Sequence, residues 1–165
     1  MRPCDYYAEF EKPKIIYPDI APHGYFTLDE AGGFYSTNTT YLIGAADKAL
    51  LGILNSKLAN LYFRSSAAVY RGGYLRFFAQ YVEQIPIPRL EPSDPADVAR
   101  HDRIVALVDE MLALQRELAA AERALHDARH DLARRIARVD REIDGLVYEL
   151  YGLTEEEIRI VEEGR

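Results

Sequence analysis

The chain has 165 residues, a mass of 18.8 kDa and a net charge of −7. This length can bury a core, but it does not hold a large catalytic domain together with a separate recognition domain. The single cysteine, Cys4, excludes an internal disulfide and a cysteine-rich zinc site. No apolar segment is long enough to span a membrane, and the N-terminus has no apolar signal core, so we expect a cytoplasmic protein without a membrane partner.

Charge and aromatic residues divide the chain into two halves. Residues 1–90 hold 9 Lys and Arg against 8 Asp and Glu, a net charge of +1, whereas residues 91–165 hold 11 against 19, a net charge of −8. All 6 Phe and 10 of the 12 Tyr precede residue 91, and residues 48–89 carry a net charge of +5. The overall charge argues against a nucleic-acid-binding protein, which usually has a basic surface, but the division predicts two structural units of opposite character.

Residues 1–90 are predicted to form a small mixed α/β domain. Ile15–Tyr17 and residues 39–43 are rich in β-branched and aromatic residues, which favours strands. Residues 24–28 and 34–37 flank Gly32-Gly33, which predicts a hairpin.

The middle of the chain is predicted to contain one helix and then extended segments. Asp47 is a good N-cap for a helix over about residues 48–62, where leucines recur at helical spacing. Residues 75–78 are predicted to form a strand, and Ile85-Pro86-Ile87-Pro88 is extended because alternate prolines exclude a helix. Two further prolines predict a linker over residues 91–98.

Residues 99–165 are predicted to form a long helical arm, so the fold class is α+β. Apolar residues follow a 3-4 spacing from Ile104 to Leu150, with one extra step of four, which is typical of helices packed side by side. Two forms fit: a continuous coiled-coil helix of about 45 residues, or an antiparallel hairpin that turns near residues 126–131. Thr154 begins a capping box for a short last helix.

The chain lacks the motifs that carry catalysis. There is no Gly-x-Gly fingerprint, and Asn38-Thr39-Thr40-Tyr41 lacks the two prolines of the Asn-Pro-Pro-Tyr loop of amino-methyltransferases. His126 and His130 share a helix face but have no third ligand, so we expect no metal site there. No nucleophile, base and orienting group occur together, so we expect that the chain itself is not an enzyme.

The sequence resembles the TaqI-like C-terminal specificity domain of type IIG restriction–modification enzymes and adenine-specific DNA methyltransferases. The resemblance lies in four segments, which are residues 12–20 (KPKIIYPDI), 54–58 (LNSKL), 84–88 (QIPIP) and 143–158 (IDGLVYELYGLTEEEI). It implies a target-recognition domain that serves an N-terminal methyltransferase or nuclease module. It also implies that S-adenosylmethionine and Mg²⁺ belong to that catalytic part, with no cofactor in this chain.

The resemblance directs attention to the basic stretch of the first half as a surface for double-stranded DNA. Arginine, asparagine and glutamine make paired hydrogen bonds to base edges, and cations position the phosphates. Arg71 and Arg76 flank Gly72-Gly73, and a glycine-rich turn lets the backbone approach DNA closely. The candidate DNA-binding residues are Lys57, Arg64, Arg71, Arg76 and Gln80, with Thr37 and Asn38 from the polar run 36–40.

The sequence therefore predicts a non-catalytic, sequence-specific DNA-recognition domain. The acidic arm is predicted to set the distance to the catalytic module, and its apolar stripe has three possible partners: another part of the chain, the catalytic module, or a second copy in a homodimer. The alternative function is a protein-interaction module whose coiled-coil arm assembles a multi-subunit complex.

Overall fold

The computed structural model describes residues 7–67, 69, 71–123 and 128–164. The chain divides into two compact units. The first unit combines Met1–Asn55 with Ala59–Pro86, and the second combines Ser56–Leu58 with Ile87–Arg165. Strands lie in the first unit and long helices in the second, so the predicted α+β class is confirmed.

The first unit contains two small antiparallel sheets. Their strands are β1 (Lys14–Pro18), β2 (Ile20–Ala21), β3 (Thr27–Asp29), β4 (Thr40–Ile43) and β5 (Leu75–Arg76). One sheet has the order β3-β1-β4, and β2 pairs with β5 in a separate two-stranded ladder. The predicted strands at Ile15–Tyr17 and residues 39–43 are therefore confirmed, and only the first two residues of the predicted strand 75–78 are extended in a ladder.

The predicted hairpin between residues 24–28 and 34–37 is wrong. Strand β3 pairs with β1, and residues 34–37 form no strand. The Asp29 carboxylate accepts hydrogen bonds from the backbone N–H groups of Gly33, at 3.2 Å, and Phe34, at 2.9 Å. These donors serve a side chain rather than a ladder, so the segment after the turn does not continue the sheet.

The same carboxylate forms a buried ion pair with Lys14 of β1. The side chains of Lys14 and Asp29 are 0% and 2% exposed, and the Lys14 Nζ atom lies 2.5 Å from an Asp29 carboxylate oxygen. Lys14 also donates to the carbonyl of Phe10 at 2.7 Å. The pair therefore joins strand β1, the end of β3 and the segment before the sheet.

The predicted helix over residues 48–62 is divided at Ser56. Helix α1 (Lys48–Asn55) begins after Asp47, whose carboxylate accepts from the backbone N–H of Leu50 at 3.1 Å, as an N-cap should. Helix α2 (Lys57–Ser66) follows, and α3 (Ala79–Val82) comes after β5.

Aromatic rings fill the core of the first unit. Phe63 and Phe77 stack with ring centroids 4.1 Å apart, Phe26 meets Phe77 edge to face, and Tyr17 contacts Phe26. These four side chains are at most 6% exposed. The concentration of aromatic residues before residue 91 therefore serves mainly to build this core.

The second unit is an antiparallel helical hairpin followed by a short helix. Helix α4 (Pro95–Arg123) begins inside the predicted linker 91–98, α5 is Arg129–Tyr151 and α6 is Glu155–Glu163. Three ion pairs join α4 to α5 in antiparallel order: Arg103–Glu142, Glu110–Arg138 and Glu117–Arg135. This order excludes the single continuous helix. The connection, residues 124–127 with His126, lies outside the described residues.

The apolar stripe of the arm is buried within the hairpin itself. Ile104, Leu114, Val139 and Val147 are at most 1% exposed. Helix α5 ends at Gly152, whose φ of 64° favours glycine, and Thr154 forms the predicted capping box with Glu157. Among the three predicted partners of the stripe, the structure identifies another part of the same chain. No helix in the described part of the chain is long and apolar enough to cross a membrane.

Candidate nucleic-acid interface

Arg76 is held in one orientation by Asp19. Strand pairing places Arg76 opposite Ile20, next to Asp19, and the backbone N–H of Phe77 donates to the Asp19 carbonyl at 2.7 Å. The guanidinium donates through Nε and Nη2 to the two carboxylate oxygens of Asp19, at 3.2 and 2.9 Å. It also lies 4.3 Å from the centroid of the Phe78 ring. A paired fork and an aromatic face together fix a planar cation, so Arg76 is preorganised while its side chain keeps 28% of its surface exposed.

Asp19 also connects Arg76 to the polar run that contains Thr37 and Asn38. The backbone N–H of Asp19 donates to the carbonyl of Thr39 at 2.9 Å. Thr37 and Asn38 are exposed, and the hydroxyls of Thr37 and Thr39 lie 3.0 Å apart. Asp19 therefore holds Arg76 through its side chain and Thr39, which follows Thr37 and Asn38, through its backbone.

The glycine-rich turn lies at the start of strand β5. Gly72 and Gly73 have φ angles of 74° and 81°, a region that side-chain-bearing residues rarely adopt. A Cβ atom at Gly73 would have no neighbour within 4 Å, and Tyr74 is 45% exposed. The predicted turn is therefore an open backbone. The backbone of Arg71 belongs to this turn, while its side chain lies outside the described residues.

Arg64 and Gln80 lie on two different helices of the first unit. Arg64 is exposed near the end of α2, and Gln80 is exposed on α3, where its carbonyl accepts from the Gln84 side chain at 2.7 Å. Neither belongs to the Asp19 cluster. Contacts of Arg64, Arg71 and Gln80 with DNA stay predictions.

Lys57 is engaged within the second unit. Its Nζ atom lies 2.6 Å from the Glu162 carboxylate and 3.7 Å from Asp144 Oδ2. Its backbone N–H donates to Asp144 Oδ1 at 2.9 Å, and Tyr148 donates to Glu162 at 2.8 Å. A contact of Lys57 with DNA also stays a prediction, and it would compete with these ion pairs.

Asp144 is the perturbed acid of this network. Burial, followed by the charge of Asp140, raises the pKa of Asp144 to about 6, against the opposing hydrogen bond and charge of Lys57. Its Oδ2 atom is buried without a hydrogen-bond partner in the part of the chain that the structure describes. The network connects helices α2, α5 and α6 through hydrogen bonds and ion pairs of Lys57, Asp144 and Glu162, as a structural ion cluster does.

Sequence reasoning missed one exposed loop, His23–Phe26. The Asn55 side chain accepts from the backbone N–H of Phe26 at 3.1 Å and donates to its carbonyl at 2.9 Å. The Asn60 side chain accepts from the backbone N–H of Gly24 at 2.6 Å. His23 and Tyr25 are exposed, with ring centroids 4.2 Å apart. The sequence signal that could have indicated this loop is the pair Asn55 and Asn60, because a side-chain amide can bind both the N–H and the C=O of a backbone.

Comparison with known proteins identifies the first unit as a known type of domain. A family model for the TaqI-like C-terminal specificity domain matches residues 3–87. The type II methyltransferase M.PaeR7I of Pseudomonas aeruginosa is 35% identical over 81 residues, which are 47% of this chain and 14% of that protein. The type II methyltransferase M.XhoI of Xanthomonas vasicola is 35% identical over 86 residues, 50% of this chain and 16% of that protein.

A third relative extends the similarity into the helical unit. The type II methyltransferase M.BstVI of Geobacillus stearothermophilus is 26% identical over 155 residues, 92% of this chain and 22% of that protein. The chain thus spans less than a quarter of the length of each of these relatives. The family model covers the unit that carries Arg76 and the glycine turn, and the chain belongs to the family of TaqI-like C-terminal specificity domains.

Proposed function

We propose that the chain is the DNA target-recognition module of a type II methyltransferase or restriction–modification protein. The first unit binds double-stranded DNA, and the chain carries out no bond chemistry itself. One observation supports this proposal most strongly: in a unit that matches a specificity domain, Arg76 is held by Asp19 beside the exposed turn of Thr37 and Asn38. A fixed guanidinium next to hydroxyl and amide groups is suited to phosphate and base-edge contacts.

The distribution of charge supports the same division of labour. Between Asp47 and Glu83 the sequence contains no acid, whereas residues 91–165 carry a net charge of −8. DNA repels an acidic surface and attracts a basic one. The helical hairpin therefore serves as a spacer and a docking element for the catalytic module, which binds S-adenosylmethionine and Mg²⁺.

The test is a titration of a fluorescein-labelled duplex with the full chain, followed by fluorescence anisotropy. Affinity should fall steeply between about 50 and about 200 mM salt, because neutralised phosphates release counterions. Arg76→Ala should weaken binding and reduce the slope of log affinity against log salt by about 1. Arg134→Ala is the matched control, since Arg134 is 79% exposed on α5 and pairs with Asp131 in the acidic unit.

The outcomes separate DNA recognition from the alternative of a protein-interaction module. Wild-type chain that shows no salt-dependent binding contradicts the proposed function and favours the alternative. Equal effects of Arg76→Ala and Arg134→Ala would instead remove Arg76 from the interface. A homodimer through the arm needs faces other than the buried stripe, and light scattering of the purified chain measures it directly.

A further inference from the structure

The His23–Phe26 loop combines exposed side chains with a fixed backbone. The backbone of Gly24 and Phe26 makes three hydrogen bonds with the amides: the Asn60 and Asn55 oxygens accept from Gly24 and Phe26, and the Asn55 NH₂ donates to the Phe26 carbonyl. Tyr25 is nevertheless 50% exposed, and His23 is exposed beside it. An exposed loop is usually mobile, so a loop held in this way presents its two rings in a defined position.

Gly24 lies at a tightly packed position of this loop. A Cβ atom at Gly24 would lie 3.0 Å from the Phe26 ring, 3.3 Å from the Leu54 carbonyl and 3.3 Å from the Asn60 amide oxygen. The loop backbone therefore packs closely against the end of α1, so a side chain at this position would displace its neighbours, while His23 and Tyr25 on both sides of Gly24 are exposed. Recognition sites need this rigidity, because a loosely held group loses discrimination.

Topology places the loop beside the glycine turn. In the β2–β5 ladder Ala21 pairs with Leu75, so Pro22 and His23 leave the ladder at the end where Gly73 and Tyr74 enter it. Arg76 follows Leu75 in strand β5, about 3.4 Å further along the strand. The loop, the open glycine turn and the oriented arginine thus surround one short ladder.

The sequence segments around the ladder contain few acids, which suits a nucleic acid better than a basic partner. No acid occurs between Asp19 and Asp29 or between Asp47 and Glu83, and Asp19 is paired with Arg76. Tyrosine and histidine offer both an aromatic face for stacking and polar atoms for base edges. Tyrosine and histidine can therefore distinguish bases, whereas lysine and arginine side chains that bind phosphate do so irrespective of the DNA sequence.

We infer that His23 and Tyr25 contact the bases of the DNA target and determine part of its sequence specificity, with Asn55 and Asn60 as positioning residues. This inference rests on the proposed function. It assigns discrimination to the loop and leaves phosphate binding to Arg76.

The experiment starts with selection of duplexes from a randomised pool by the wild-type full chain. The dissociation constant is then measured for the selected duplex and for a scrambled one. The discrimination ratio is the dissociation constant of the scrambled duplex divided by that of the selected duplex. Tyr25→Ala and His23→Ala should each reduce this ratio about tenfold, as loss of a base contact does. Affinity for the scrambled duplex and the salt slope should stay at the wild-type value. Tyr7→Ala is the matched control, because Tyr7 is 54% exposed in the same unit but lies on a different segment.

Asn60→Ala tests the positioning role, since it removes the hydrogen bond to the backbone of Gly24 without removing either ring. The expected result is a reduced ratio of the two dissociation constants, with a far-ultraviolet circular dichroism spectrum like that of the wild type. A structural role without a DNA contact would leave this ratio unchanged.

The outcomes distinguish this inference from the proposed function. Salt-dependent binding by the wild type, with an unchanged ratio in Tyr25→Ala and His23→Ala, overturns the inference and leaves the proposed function intact. Salt-dependent binding that selects no motif also overturns it, because nothing in the chain would then discriminate. Absence of salt-dependent binding overturns both.

Discussion

The buried Lys14–Asp29 pair provides the sharpest test of how the first unit is stabilised. Asp29→Asn keeps the side-chain volume but leaves the Lys14 ammonium buried without its carboxylate. Both side chains are at most 2% exposed, so water does not replace the lost charge. Breaking a buried pair in this way costs about 3–5 kcal/mol, a large part of the roughly 5–15 kcal/mol that stabilises a domain.

Lys14→Met is the complementary perturbation. It leaves Asp29 with the backbone N–H groups of Gly33 and Phe34 as donors, so we expect a smaller loss of about 2–3 kcal/mol. The double variant should lose less than the sum of the two single losses by at least about 2 kcal/mol, because the two groups contact each other directly.

Urea unfolding at pH 7 measures these free energies. Near-ultraviolet circular dichroism reports on the first unit, which contains most of the aromatic residues. With a slope of about 2 kcal/mol per molar urea, Asp29→Asn should lower the midpoint by about 2 M. Lys12→Met is the control: Lys12 is 60% exposed in its ion pair with Glu9, so its removal should cost less than about 1 kcal/mol.

The pH dependence supplies a second check on the same pair. Burial alone would raise the pKa of Asp29, but hydrogen bonds from Lys14, Phe34 and Gly33 lower it from 3.8 to about 2. A lowered pKa means that the stabilisation is complete above the unfolded value and is lost as the pH falls from 3.8 towards 2. A loss in Asp29→Asn no larger than that in Lys12→Met would refute this reasoning.

Two further predictions follow from Gly24 and Asp144. Gly24→Ala should cost about 1–3 kcal/mol by overpacking, whereas Gly33→Ala, where a Cβ atom meets nothing within 4 Å, should cost less than about 1 kcal/mol; equal melting temperatures would contradict the close packing at Gly24. Because burial raises the pKa of Asp144 to about 6, the wild type should lose stability as the pH rises from about 4 to about 6. Asp144→Asn should remove this loss and be the more stable protein at pH 7.5, and unfolding curves with the same pH dependence as the wild type would show that Asp144 ionises normally.

Local patterns predicted the parts of the fold that depend on near neighbours. The β-branched residues before Ile43 form a strand, Asp47 caps its helix, and Thr154 forms its capping box. The 3-4 spacing predicted buried helices, but it fits a continuous helix and a hairpin equally well. Only the ion pairs between α4 and α5, such as Arg103–Glu142, decide for the hairpin.

Predictions failed where a side chain outside the predicted element bound one of that element's backbone groups. Residues 34–37 have the composition of a strand, but Asp29 binds the N–H of Phe34. The helix predicted over residues 48–62 is interrupted at Ser56, and the backbone N–H of the next residue, Lys57, donates to the side chain of Asp144. Neither competitor is visible in a periodic pattern, because each acts across a turn or between distant segments.

The candidate site was likewise predictable only in part from the sequence. Composition and charge predicted two units, the family resemblance predicted recognition by the first, and the family model matches residues 3–87. Which polar residues are turned inward was not predictable. Lys14 is buried on Asp29, and Lys57 pairs with Glu162, although both have the charge expected of a DNA contact.

The sequence by itself predicted two units and the helical arm, because composition and spacing are properties of neighbouring residues, and its four motif segments indicated the family. Tertiary structure alone decided which cations are exposed, how Arg76 is oriented and that the backbone of the His23–Phe26 loop is hydrogen-bonded to two asparagines. The physical reason is that each of these depends on one partner far along the chain: Asp19 for Arg76, and Asn55 and Asn60 for the loop.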